Sequence, residues 1–365
     1  MDAALAQQKF SCPSCGAEAL WNPAKQGLVC PFCGTVSPAK FDAGTGQIVE
    51  HDLVAELRSV TDDRRGWQAE KRYVKCQSCE AISVLDPERQ AQRCAFCGSA
   101  QLLPYAQSRA SFRPESLLPF KLSEEQARDG IRAWYGRLWL APNALKRRAL
   151  TDTVKGVYLP YWTFDAHVDA AWRAEAGHYH YTAETYTDGS GRTQTRQVQQ
   201  VRWEPVAGNL SHFFDDDLVC ASVGVHADLL RGIEPFPTKE LKAYDPGYVA
   251  GWIVERYQID LISAAKAARD AMDAKLRALC AAQIPGDTYR NLDVRANYSG
   301  QTFKHILTPV WLVSYSYGAK SFQAVMNGCT GAIKGEYPKS WIKVTLLVIA
   351  ILIVIALALV LGSHR

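Results

Sequence analysis

The sequence predicts an α+β chain in three parts: a cysteine-rich N-terminal third, a mostly antiparallel α+β body and one long apolar C-terminal helix. Three observations lead there. Eight of the eleven cysteines fall into two copies of one spacing, helical and alternating hydrophobic patterns follow each other through the middle, and an uncharged apolar run lies near the end.

Cys12, Cys15, Cys30 and Cys33 read C-x2-C-x14-C-x2-C, and Cys76, Cys79, Cys94 and Cys97 repeat that spacing 64 residues later. Two thiolate pairs on tight knuckles supply the tetrahedral donor set of Zn²⁺, and four thiolates leave no open position for catalysis. The expectation is two zinc ribbons, 9–40 and 76–103, each with one structural Zn²⁺. Glycine follows the second cysteine in CPSCG (12–16), CPFCG (30–34) and CAFCG (94–98), where a positive φ turns backbone N–H groups toward sulfur. CQSCE (76–80) has Glu80 there, which predicts a looser knuckle. Short strands are expected at 19–22, 27–30, 81–85 and 92–94. About 30 residues cannot bury a self-sufficient core, so metal binding and folding are one event. Disulfides would need an oxidising compartment, and residues 1–11 carry no apolar core of a secretory signal. Cys220, Cys280 and Cys329 stand singly in apolar surroundings and read as small buried hydrophobes.

Residues 344–361, VTLLVIAILIVIALALVL, contain no charge and one polar side chain, Thr345. Eighteen residues of helix reach about 27 Å, near the thickness of a bilayer's hydrocarbon core. A single transmembrane helix is expected over 342–361, anchoring the chain by its C-terminus in the cytoplasmic (inner) membrane. Lys334, Lys339 and Lys343 precede it, which places the body in the cytoplasm; Trp341 falls at the interface.

The body is expected over 120–340, with linkers at 41–75 and 104–119. Ser123 and Gln126 form a capping box ahead of Ile131, Trp134, Tyr135 and Leu138 at helical spacing. Pro142 begins a second helix through Leu150. Strands follow at 154–164, 168–174, 178–187, 193–203 and 218–225, with a hairpin at Asp188-Gly189-Ser190-Gly191. An amphipathic helix covers 260–282, then strands 302–317 and 321–326, and Asn327-Gly328 predicts a type I′ turn into 330–334. Within the linker, 51–57 reads as a short helix. YLPYWTF (158–164) and LTPVWLVSY (307–315) share Pro-x-Trp after a helix, a hint of internal duplication.

Net charge is +4, but residues 1–104 balance eleven Lys/Arg against twelve Asp/Glu. The ribbons therefore lack the basic footprint of a nucleic-acid reader, and the local patch Arg64, Arg65, Lys71, Arg72, Lys75 reads as a solvated linker. No Gly-x4-Gly-Lys-Ser/Thr, GxSxG, HExxH or GxGxxG occurs, so no catalytic or cofactor-binding residue is assigned and a non-enzymatic chain is expected. His178, His180, His212 and Asp215–Asp217 read as solvated hairpin and turn residues rather than a metal site.

LLPFKLSEEQA (117–127), WLAPNAL (139–145), VYLPYWTFDA (157–166), WEPVAGNLSHFFDDDLV (203–219) and TPVWLVSYSYGAKSFQAVMNGCTG (308–331), placed after paired ribbons and before a terminal anchor, resemble the bacterial TFIIB-type zinc-ribbon membrane proteins. Members are often labelled after the primosomal replication helicase, whose motor motifs this chain lacks. The pattern is also similar to the zinc-ribbon membrane partner of envelope-stress systems that recruits SPFH or phage-shock type proteins. The resemblance implies a tail-anchored scaffold that recruits protein partners to the membrane. The alternative is a membrane-tethered nucleic-acid-binding protein.

Overall fold

The structure, a computed structural model, describes residues 10–36, 48–58, 72–85, 93–94, 96–104, 114–143, 154–187, 189, 192–317 and 320–363. Strands β1 (Leu20–Asn22) and β2 (Gly27–Val29) form a hairpin of their own. All other described strands join one twelve-stranded, mostly antiparallel sheet.

That sheet recruits residues far beyond the expected body. From the first linker come β3 (His51–Asp52), which pairs with the long strand Thr288–Tyr317, and α1 (Leu53–Arg58), whose Leu53 is buried. The second ribbon contributes β4 (Arg72–Cys76), β5 (Ile82–Leu85) and β6 (Leu102–Pro104). A strand expected at 92–94 is not formed at Arg93–Cys94, because β4 is the partner of β5. From the second linker comes β7 (Ser116–Leu117). Residues 59–71, 105–113 and 144–153, including Arg64, Arg65, Lys71 and most of the helix expected after Pro142, lie outside the described residues.

The body continues with α2 (Glu124–Arg137), β8 (Lys155–Thr187), β9 (Thr193–Cys220), α3 (Ala227–Arg231), β10 (Lys242–Ala243), β11 (Ile253–Glu255), α4 (Leu261–Ala282), β12 (Thr288–Tyr317), β13 (Lys320–Asn327) and β14 (Ile333–Gly335). The capping box holds: Gln126 N donates to Ser123 Oγ at 3.2 Å and Ser123 N to Gln126 Oε1 at 2.9 Å.

Several expected strands fuse. Three short segments become β8, 33 residues long. A bulge between Phe164 and Ala166 bends the strand without ending it. Gly177 stays in the strand because a Cβ there would stand 2.6 Å from Thr288 and 2.8 Å from Trp203. Asp215–Asp217, expected in a turn, lies inside β9, with Asp216 at φ 51° opposite the bulge. After β13 the turn is wider than type I′. Asn327 Oδ1 accepts the amides of Cys329 and Thr330 at 2.9 and 3.0 Å, and Gly331 rather than Gly328 takes the positive φ of 79°.

The hinted duplication has a structural counterpart. The two Pro-x-Trp segments pair with each other, Pro160 opposite Leu307 and Pro309 opposite Tyr158, so an approximate twofold passes through the Leu159–Thr308 pair. The neighbouring features repeat. β7 lies parallel to β12 as β11 lies parallel to β8. Ser123 caps α2 as Asp260 caps α4. The Ala221 amide reaches Pro160 O and the Gly328 amide reaches Pro309 O, both at 2.9 Å. Buried Ala127, Ile131 and Tyr135 of α2 match buried Ala264, Ala268 and Met272 of α4. Each half lends its first short strand to the other's long strand, which interlocks them. The core lies where α2 and α4 cover the sheet, with Trp162, Trp311, Tyr158 and Phe303 fully buried.

The chain ends in α5, Trp341–Ser363. Its N-terminus is tied to the body: Lys343 Nζ donates to Trp139 O at 3.0 Å, Ala141 O at 2.8 Å and Asn143 Oδ1 at 2.8 Å. Side chains are described to residue 356, and the apolar ones are largely exposed. Among the described residues no helix is long and apolar enough to cross a membrane, so the span expected over 342–361 is not established by the fold. Residues 357–361 of it have no described side chains.

Candidate metal centres and a buried charge cluster

The eight cysteines gather into two tetrathiolate clusters, each with its ligand atoms within 4.8 Å of one another. Sγ–Sγ distances are 3.5 Å for Cys12–Cys33, Cys15–Cys30 and Cys76–Cys97, and 3.6 Å for Cys79–Cys94. Metal–sulfur bonds of about 2.3 Å put tetrahedral sulfurs about 3.8 Å apart, whereas a disulfide needs about 2.05 Å. All eight are free thiols and fit two structural zinc ions.

The knuckles are built alike. The amides of Gly16, Gly34, Glu80 and Gly98 return to the carbonyls of Cys12, Cys30, Cys76 and Cys94 at 2.8 to 3.1 Å. Glu80 adopts φ 61°, close to the 74–75° of the three glycines, so its knuckle is as closed as the others and not looser. A non-glycine residue holds that backbone at a local cost.

Crowded thiols share protons until a cation replaces them. The Cys79 thiol beside Cys94 brings Cys94 down to about 5, and Cys79 rises in turn through the same contact and burial. The Thr35 hydroxyl and amide bring Cys33 down to about 6. Among the isolated cysteines, Cys280 is buried as expected, while Cys220 and Cys329 are only half-buried. Burial raises both of those thiols to about 12.

The ribbons attach differently. The first docks outside the sheet: Trp21 stacks edge-on against Tyr248 at 4.7 Å, its amide reaches Ala250 O at 3.3 Å, and Gln26 Nε2 reaches Phe120 O at 2.9 Å. The second is part of the sheet, since β5 pairs with β11. Phe96, between two of its ligands, is fully buried, and its carbonyl accepts Gln323 Nε2 at 2.6 Å and the Ser314 hydroxyl.

Beside this ribbon sits Glu255, 1 % exposed. Burial pushes its carboxyl up to about 8 against hydrogen bonds from Ser222 and Gln258, and the negative charge of Cys94 adds to the rise. Its folded pKa exceeds the unfolded one. Glu255 therefore contributes stability that is fully present below about pH 4.5 and is lost as pH rises through about 8. Glu255→Gln is expected to leave the melting temperature nearly unchanged at pH 5 and raise it by several degrees at pH 8.5. Equal shifts at both pH values in thermal melts would contradict the assignment.

Sequence reasoning missed a second buried cluster where β3, β8, β9 and β12 meet. Lys304 Nζ, on a side chain 7 % exposed, lies 2.8 Å from Asp216 Oδ1, 2.9 Å from Glu50 Oε1 and 4.0 Å from Asp165 Oδ2. The Thr302 hydroxyl lies 3.0 Å from Asp165 and 3.2 Å from Glu50, and Asp216 N donates to Asp165 Oδ1 at 2.6 Å. Burial pulls the Lys304 ammonium down, but the hydrogen bonds to Asp216 and Glu50 outweigh it and hold the group above its ordinary range. Burial raises Asp165 despite its amide partner and Lys304. Nearby, Glu115 takes His51 Nε2 at 3.1 Å and the His305 amide at 2.8 Å. The cluster clamps the segment between the ribbons onto the body. The one sequence signal is Lys304-His305 set between the apolar Phe303 and Ile306.

The histidines do not converge. His178 and His180 stand opposite Arg202 and Gln200, far along the hairpin from His212, which is opposite Val168. Asp217 pairs with Lys275 of α4. The two cysteine clusters are the only metal-competent groups among the described residues.

No family model matches the chain, and no solved structure matches it. The uncharacterized protein YdjG of Bacillus subtilis (strain 168) is 26 % identical over 233 residues, 63 % of this chain. The chain spans 65 % of that relative's length.

Proposed function

We propose that the chain is a C-terminally anchored membrane adaptor whose zinc-organised body faces the cytoplasm and recruits protein partners. The observation that carries this reading is the sequence run 344–361, eighteen residues without a charge. As a helix it would reach about 27 Å, near the thickness of the hydrocarbon core. It leaves the body through the Lys343 clamp. Trp139 and Trp341, 59 % and 75 % exposed, flank the exit point as interfacial tryptophans do. The resemblance to TFIIB-type zinc-ribbon membrane proteins supports partners of SPFH or phage-shock type.

The test is fractionation followed by crosslinked purification from native membranes. Full-length protein is expected in the carbonate-resistant pellet, and a chain ending at residue 340 in the supernatant. Full-length protein should retain a defined, nuclease-resistant set of proteins. A soluble full-length chain would overturn the anchor. A retained set that vanishes on nuclease treatment would favour the nucleic-acid reading.

A further inference from the structure

The twofold breaks down at one place. On the α2 side of the sheet, β14 covers the outer edge of β13, with Ile333 opposite Met326 and Gly335 opposite Ala324. That strand fills the space beneath α2. Met326 and Ile333 come within 3.3 and 3.6 Å of a Cβ placed on Gly130, and Trp134 within 2.7 Å of one on Gly335.

On the α4 side β9 takes the place of β13, with Asp217, Leu218 and Val219 where the α2 side has Ala324, Val325 and Met326. Among the described residues β9 pairs with β8 alone, so the edge that β14 would occupy carries no strand. On the facing helix, Gly130, Ile131 and Trp134 of α2 correspond to Ala267, Ala268 and Ala271 of α4. A missing strand and missing bulk coincide. They leave a half-open cavity of about 800 Å³ between β9, α4 and the segment that follows α3.

Charge adds a second constraint. Asp215, Asp217 and Glu234 line the cavity against Lys275 and Arg231. Lys275 is engaged by Asp217, and Arg231 by Asp228 at 3.1 Å. Burial raises the Glu234 carboxyl, as expected where a cationic partner would relieve desolvation.

We propose that this edge and cavity dock an extended peptide segment of a partner protein. The segment adds an antiparallel strand opposite Asp217–Val219, as β14 does opposite Ala324–Met326. The residue facing Val219 takes the place of Ile333, and the space beside Ala268 and Ala271 admits a large apolar side chain. Two residues further on, the counterpart of Gly335 no longer meets a tryptophan and lies on a wall where Asp215, Asp217 and Glu234 outnumber Lys275 and Arg231, so a lysine or arginine belongs there. Strand addition supplies main-chain hydrogen bonds and the pocket supplies selectivity. This names the partner chemistry of the adaptor reading and rests on it.

The test uses full-length protein in detergent and a fluorescent heptapeptide, GAIKKEY. This is residues 331–337 with lysine at the position of Gly335; GAIKEEY is the control. Polarisation is expected to show saturable binding of the first, at least about tenfold weaker for the second. Ala271→Trp restores the missing ring and should abolish binding while the melting temperature stays at or above that of the parent. Hydrogen exchange on the parent should show slowed amides at 217–219 when GAIKKEY is added. Equal affinity for both peptides, no binding up to millimolar concentration, or no protection at 217–219 would overturn the proposal. If Ala271→Trp keeps the full partner set in membranes, the groove is refuted while the adaptor stands. If no partner set exists at all, the adaptor reading itself falls.

Discussion

Exchanging Cys76 and Cys79 for serine is expected to unfold far more than the ribbon that carries them. Structural Zn²⁺ contributes roughly 10–16 kcal/mol to a zinc-folded module, against about 5–15 kcal/mol for the net stability of a typical domain. In the second ribbon that energy does not stay local. Its β5 pairs with β11, β11 pairs with the central β8, and Phe96 fills the core against Ser314 and Gln323. Losing the metal removes three strands from one side of the sheet and uncovers Val225 and Leu230. The double variant should bind one zinc ion per chain, lose near-UV ellipticity across the body and melt without a cooperative transition. Cys12→Ser with Cys15→Ser should also retain one zinc ion but keep a cooperative melt. Its β1–β2 hairpin stands outside the main sheet; Trp21 enters the body's core, and Phe10, Ala19 and Leu28 form a small cluster with Ala250. Indistinguishable melts for the two double variants would contradict this asymmetry.

Lys304→Met is expected to cost about 3–5 kcal/mol at pH 7.5, the range for removing one partner of a buried ion pair. The loss is the stranding of Asp165 and Asp216 without their cation rather than of the contact itself. Its pH dependence has a definite sign. Burial already raises Asp165 against the pull of Lys304, so without that cation its folded-state pKa lies further above the unfolded value. Its contribution is then fully present below the unfolded pKa and is lost as pH rises. The variant should recover toward the parent as pH falls from 7.5 to 5, and adding Asp216→Asn should recover part of the loss at pH 7.5. A variant that melts like the parent at pH 7.5, or worsens on acidification relative to it, would show that the cluster does not hold β3 to β12.

The zinc ligands were readable because each knuckle is closed by its own neighbours: a spacing of two between cysteines and a left-handed residue after them suffice. The Ser123–Gln126 box is local in the same way. The lengths of β8 and β9 were not readable, because a polar stretch such as Asp165–His167 looks like a break. His167 sits instead with Asp169 and Arg173 on the exposed face of a strand whose other face, Val168, Ala170 and Trp172, packs with α4. Lys304 resisted for a related reason. Its three carboxylate neighbours come from residues 50, 165 and 216, which no window along the chain brings together.

By itself, the sequence determined two tetrathiolate sites, the helices at 124–137 and 260–282 with the cap of the first, a hairpin between 187 and 193 and the apolar terminal run. Each depends on residues within a few positions of one another. Only the tertiary structure decided that the second ribbon and the segments between the ribbons belong to the sheet of the body. It also decided that the two Pro-x-Trp strands pair about a twofold, and that one half carries a strand and a tryptophan where the other leaves a cavity. Those outcomes rest on hydrogen bonds and packing between residues distant along the chain, and such contacts leave no periodicity in the sequence that makes them.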